Sequence, residues 1–354
     1  MRKTLLNTNE IQCLEAVLDT LNNPGARPHT PDIEAIMPLL TRHRLLNQYI
    51  EALGKNQPKT WPARVQRTLD GYNRHILILQ KQFLDISASL NNKGLWFVPL
   101  KGLVLASKIY KNPLSRYSID IDLFIRKDQL TNIIFLLEGN GFKLKAPRVN
   151  WPGWKNKWYI WAKKDYLLVN ELTKTSVELH YRLYPNSCYR QKEQALMVAH
   201  TKQTAMGPVR FNSFSPEFEF IYLASHGAIH GFYRLFWLYD LALLASLGNL
   251  NWQHLSALAR QLGAERHVVA AILLAAHYFG TTVPNEINTL YNKRKRSYDQ
   301  LLNTCIWFIE NDVDKNMYAR LKRLMYLLDL GQGFQYKWNT MLGGAARLIM
   351  EKYF

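Results

Sequence analysis

The chain has 354 residues, 48% of them hydrophobic and 20% charged, and 45 Lys plus Arg against 27 Asp plus Glu leave a formal charge of +18. This composition excludes a disordered chain, and at roughly 150 residues per domain the length predicts two domains, or one core with a helical extension. The charge favours anionic partners without choosing among nucleic acid, nucleotide and lipid, because it describes a long-range field and not a site.

The start of the chain is basic but has no sustained apolar run before Asn7, Asn9 and Glu10, so it does not read as a secretion signal. Cys13, Cys188 and Cys305 are dispersed, with neither a disulfide framework nor a zinc spacing, and a reducing, cytoplasmic setting is expected. From Asn9 to Leu90 apolar residues recur at three and four spacing: Ile11, Leu14, Val17, Leu18 and Leu21, then Ile33, Ile36, Leu39 and Leu40. Pro24, Gly25, Pro28 and Pro31 separate the two sets, which predicts helices broken by a turn. Gln57 to Pro62 interrupts again, and Ala63 to Leu90 reads as one long amphipathic helix ending near Lys93 and Gly94.

From residue 86 the period changes. WFVPLKG is short and apolar, LVLASKIY is helical, and SIDIDLFI alternates before becoming fully apolar, as a strand with one exposed end does. Asp128 is placed to cap a helix LTNIIFLLEGNG that Gly139 and Gly141 stop, and GFKLKA, KWYIWA, YLLVNEL and TSVELHYRL are strand candidates. After Pro185 helical spacing returns and persists. The predicted fold class is α+β, with a helical region 1–85, a small mixed α/β core 86–185 and a helical domain 186–354. The most apolar stretches, Leu235 to Leu247 with Asp240 inside and Val268 to Ala276, fall short of the ~20 residues that a membrane span needs, so no membrane partner is expected.

Chemistry concentrates at Asp120 and Asp122. In a strand, residues two apart project from one face, so both carboxylates would point outward while Ile119 and Ile121 enter the core. Two carboxylates at ~4 Å repel by about 4 kcal/mol at an effective dielectric of 20, and a divalent cation reverses that into attraction. Mg2+ suits such hard oxygen ligands and commonly bridges carboxylates to phosphates; the plainer reading is a hydrated strand end. Lys101 and Gly102 lie between a short strand and a helix, where backbone N–H groups suit a phosphate and glycine permits close approach. Glu178, His180 and Arg182 alternate with apolar residues and would share a strand face, offering a third carboxylate. Arg116 could contact a polyphosphate, although a surface loop arginine is the more ordinary reading.

The run VPLKGLVLASKIYKNPLSRYSIDIDLFI, then a helix, GNGF and SVELHYRL, resembles the bacterial uncharacterised nucleotidyltransferase family of the polymerase β-like superfamily. HGAIHGFYRLFWLYDLALL followed by NWQHL is similar to that family's helical part, so the resemblance covers roughly residues 85 to 285. Lys101-Gly102 stands where better-known members of the superfamily carry Gly-Ser, and the spacing to the aspartates is longer. The resemblance implies a polymerase β-like core that transfers a nucleotide with two metal ions, Mg2+ or Mn2+, held by Asp120 and Asp122 with Glu178 completing the second site and assisting deprotonation. It further implies Lys101 and Gly102 on the phosphates of an NTP, Arg116 neutralising charge, and a cleft to which His180, Arg234 and Asp240 could contribute.

Other features carry less. His226 and His230, four apart with Arg234, Trp237 and Asp240 in one stripe, are expected to pack and hydrogen-bond, since no further metal ligands accompany them. Lysines and Arg148 interleave with Trp151, Trp154, Trp158, Tyr159 and Trp161 between Lys143 and Lys164, which suits either nucleic-acid stacking or strands with one solvated face. Lys293 to Arg296 reads as a solvated loop. The acceptor stays open between an RNA 3′ end, a peptide or protein hydroxyl and a small molecule; a non-catalytic basic adaptor and an ATP-dependent phosphotransferase are the alternative functions.

Overall fold

In the computed structural model the described residues are 8–25, 32–147, 152–162, 165–183, 193–311, 317–331, 337–338 and 340–342. Arg148, Trp151, Lys163, Lys164 and Cys188 lie outside them. The architecture is mixed α+β, mostly helical, with a small five-stranded sheet and a separate two-stranded one.

Five strands form the larger sheet: β1 (Phe97–Pro99), β2 (Ile121–Ile125), β3 (Lys143–Ala146), β4 (Asp165–Asn170) and β5 (Thr175–His180), in the order β1-β2-β5-β4-β3. Only β2 and β5 run parallel, with Asp122 opposite Glu178 and Phe124 opposite His180; the other pairs are antiparallel. Every residue of β2 is buried, which suits a central strand, and Ile121, Leu123 and Ile125 enter the core. The helix Ala63–Asn92 brings Ile76, Leu79, Phe83, Ile86 and Leu90 to the same core at helical spacing. Each such fully buried side chain contributes roughly 1.5–3 kcal/mol. Gly94 ends this region at φ +64°, where Leu95 N–H donates to the Leu90 carbonyl at 3.0 Å.

Four local expectations are corrected. β2 begins at Ile121, so Asp120 precedes the strand instead of lying in it. Asp128 sits inside a short 3-10 turn, Lys127–Gln129, and the helix Leu130–Gly139 starts from Gln129 without a side-chain cap. KWYIWA falls in a helix, Gly153–Ala162, because a short aromatic run has no period that separates strand from helix. The region after 185 also contains a hairpin, β6 (Thr201–Met206) and β7 (Val209–Phe214), joined through Gly207 at φ +58°. Val209 and Phe211 of β7 belong to the sheet's core, and Asn212 Nδ2 donates to the Phe97 carbonyl of β1 at 3.4 Å.

The chain divides into two units. The sheet unit comprises residues 73–108, 112–219 and 333–354; the helical unit comprises 1–72, 109–111 and 220–332. In the helical unit the N-terminal helices bond to helices far along the chain: Asn22 Nδ2 donates to the Tyr278 carbonyl at 3.0 Å, and Arg42 Nη2 to the Ile309 carbonyl at 2.6 Å. Lys293 to Arg296 are exposed at the junction of the helices Asn285–Lys293 and Lys295–Glu310. Among the described residues no helix is long and apolar enough to cross a membrane.

Candidate metal and nucleotide site

The parallel pairing of β2 with β5 sets Asp122 beside Glu178, and the period of two adds His180 on the same face. One ligand atom each from Asp122, Glu178 and His180 lies within 4.8 Å of the others. His180 is fully buried; its Nε2 donates to Asp122 Oδ1 at 2.9 Å and lies 3.4 Å from Glu178 Oε2. Its Nδ1 faces Asp165 Oδ2, opposite it on β4, at 4.0 Å.

The remaining groups arrive from β1 and the loop before β2. Leu100 N–H donates to the Asp122 carbonyl at 3.1 Å, which fixes the chain so that Lys101 Nζ reaches Asp122 Oδ2 at 2.8 Å and Asp120 Oδ1 at 3.7 Å. Gly102 follows at φ +71°, a region that favours glycine, and a Cβ there would sit 3.6 Å from Ser118 Oγ and 3.8 Å from the Asp120 carbonyl. Arg116 is buried and donates from Nη1 to Ser118 Oγ at 3.0 Å. Asp120, Asp122, Glu178, Lys101, Gly102 and Arg116 thus fall in one unit and around one sheet end.

Electrostatics separates the carboxylates. Burial would raise Asp122, but the Lys101 ammonium and the His180 hydrogen bond outweigh it and hold the carboxyl well below its usual range. Burial and then the charge of Asp122 push Asp120 up to about 6, against the pull of Lys101. Glu178 is lowered, its burial offset chiefly by the hydrogen bond to His180. Burial disfavours the Lys101 cation, yet Asp122, Asp120 and Glu178 together raise its pKa. Tyr159, buried on the helix Gly153–Ala162, is raised by burial and then by the charges of Asp165 and Glu178, so that helix flanks the cluster.

The donor set fits a hard divalent cation: two carboxylates and an imidazole converge, Asp120 adjoins them, and an ammonium already bridges Asp120 and Asp122. The structure adds His180 to the possible ligands, and Asp165 and Tyr159 to the surroundings. The alternation of VELH signalled His180; Asp165 was readable only once its pairing with β5 was known.

Arg234 and Asp240 belong to the helical unit. Asp240 is buried and accepts from Tyr110 Oη at 2.7 Å, while the Arg234 guanidinium lies 5.0 Å from the centre of the Tyr233 ring. His226 and His230 pack together with Trp237, His230 stacked on it at 5.2 Å. In the basic and aromatic stretch, Lys143 and Lys145 pair with Glu171 at 3.8 and 2.6 Å, and Trp154 is exposed.

No curated protein matches the chain in a sequence search. A family model described as "Uncharacterised nucleotidyltransferase" matches residues 29–280, more than half of the chain and the whole of the site above, and the protein therefore belongs to that nucleotidyltransferase family.

Proposed function

We propose that the protein transfers a nucleoside monophosphate from an NTP to a hydroxyl acceptor, in the presence of Mg2+ or Mn2+, at the cluster of Asp120, Asp122 and Glu178. Family membership supports nucleotidyl transfer, and the observation that carries the site is the side-by-side placement of Asp122 and Glu178 on parallel strands with His180 between their oxygens. Asp120, Asp122 and Glu178 hold the cation, with His180 either ligating it or fixing Asp122 by its hydrogen bond. A bound divalent cation supplies charge neutralisation on the triphosphate and lowers the pKa of the attacking hydroxyl.

The chain's own groups do the rest. Gly102 leaves the backbone open to the phosphates, Lys101 supplies a cation beside them, and buried Arg116 keeps a positive charge within the loop that carries Asp120. Glu178, half-buried and ionised, takes the acceptor's proton. The sheet face that carries His180 is proposed to contribute to the acceptor's cleft. The dispersed cysteines, which offer neither a disulfide framework nor a zinc spacing, favour a reducing compartment such as the cytoplasm.

The test is incubation of the protein with each α-labelled NTP, Mg2+ or Mn2+ and cell extract, beside Asp122→Asn. Label passing to an acceptor only with the wild type is expected, with loss of at least about a thousandfold in the variant, as for removal of a group acting only in the transition state. The labelled product shows whether the acceptor is RNA, protein or a small molecule. Equal transfer by both proteins would refute the site. Label from γ-labelled but not α-labelled ATP would make the enzyme a phosphotransferase.

A further inference from the structure

We infer that Lys101 is a built-in counter-cation of the acidic cluster, displaced when a divalent cation enters and handed on to the phosphates of the incoming nucleotide. The inference rests on the metal-dependent reading above and adds to it an order of events and a coupling between metal and nucleotide.

Both oxygens of Asp122 are engaged: Oδ1 by His180 Nε2 at 2.9 Å and Oδ2 by Lys101 Nζ at 2.8 Å. With a side chain only 1% exposed, Asp122 cannot turn either oxygen to water instead. A cation bound between Asp122 and Asp120 competes for charge and space with the ammonium, which already occupies the position facing both carboxylates. The His180 ring is fully buried and fixed on β5, whereas Lys101 has some exposure, 17%, and four rotatable methylenes. Lys101 is the group that can leave. Its ammonium also lies 3.7 Å from Asp120 Oδ1, bridging the two carboxylates as a metal ion would.

This placement has an electrostatic consequence. A divalent cation brings twice the charge of the ammonium, but it must also strand Lys101 beside a doubly charged neighbour unless the ammonium finds a new anion. A triphosphate is such an anion, and Gly102, next in the chain, keeps the backbone clear for its approach. Metal and polyphosphate then bind with positive, reciprocal coupling: each binds weakly alone and more tightly with the other present.

The decisive measurement is Mn2+ binding without nucleotide, followed by the electron paramagnetic resonance of the free ion, for the wild type, Lys101→Met and Asp122→Asn. Lys101→Met is expected to bind Mn2+ about tenfold or more tighter than the wild type, because the competing charge is gone. Unchanged or weaker binding by Lys101→Met, with wild-type binding that Asp122→Asn abolishes, would overturn the counter-cation and leave the metal site standing. Binding by none of the three would overturn both. Lys101→Met leaves the buried carboxylate of Asp122 beside the half-buried one of Asp120 without a counter-charge and can unfold, so a second measurement uses the wild type alone. Acetylation of Lys101, read by mass spectrometry against the exposed lysines, should rise several-fold on adding Mg2+ and fall again on adding inorganic tripolyphosphate. A rate indifferent to Mg2+ would overturn the inference.

Discussion

His267 lies buried in the helix Glu265–Phe279 with its Nδ1 2.9 Å from Ser225 Oγ, and burial, aided by the neighbouring charge of Arg266, pushes its pKa down to about 4. The folded protein thus keeps this imidazole neutral over a range in which the unfolded chain, near 6.5, binds a proton. Stability is therefore fully present above pH 6.5 and falls as the pH drops toward 4, by about 3 kcal/mol for this one group. Urea unfolding at pH 7 and pH 4.5 should show the loss in the wild type, and His267→Leu should flatten it. At the same scale the candidate site was only partly legible. Asp120, Asp122 and Glu178 stood out because acids alternating with isoleucine, valine and leucine mark a sheet face, a signal local to each strand. Asp165 and Tyr159 carried no such mark, since what brings them to the site is the pairing of β4 with β5 and the packing of a separate helix.

The hairpin of β6 and β7 is the element that the periodicity missed. β6 carries exposed Lys202, Gln203 and Ala205, so half of the hairpin has little apolar pattern to read. Its contribution is nevertheless internal: Phe211 is 3% exposed and meets Phe83 edge to face at 5.7 Å. Phe211→Ala should cost roughly 3–5 kcal/mol, read as a drop in the urea midpoint with little change in slope. A cost below 1 kcal/mol would mean that the hairpin is not part of the core. Long helices were readable because many turns repeat the same spacing, as from Ala63 to Asn92. The segment from Gly153 to Ala162 was not, because β-favouring aromatics pull the local preference one way and tertiary packing decides the other.

At the scale of the whole molecule, the sheet's core draws on residues well outside the stretch that carries the acidic motif. Ile76, Leu79 and Phe83 come from before it, Val209 and Phe211 from after it. A fragment of residues 86–185 should accordingly fail to give a cooperative thermal transition. A fragment of 73–219 should give one, and circular dichroism of the two settles the matter. The overall class was legible because the change of period near residues 86 and 185 is abrupt; the assignment of segments to units was not, since it depends on contacts between residues hundreds of positions apart. Those contacts also govern synthesis. Arg42 finds its partner carbonyl 267 residues later, so at ribosomal rates the first helices wait about 10 to 50 s for the segment that covers them. Meanwhile the core shared by the sheet and its hairpin, whose members run from Ile76 to Phe211, can close once those residues have emerged. The nascent chain therefore matures from the middle outward, with its earliest-made apolar faces uncovered the longest and most in need of a chaperone.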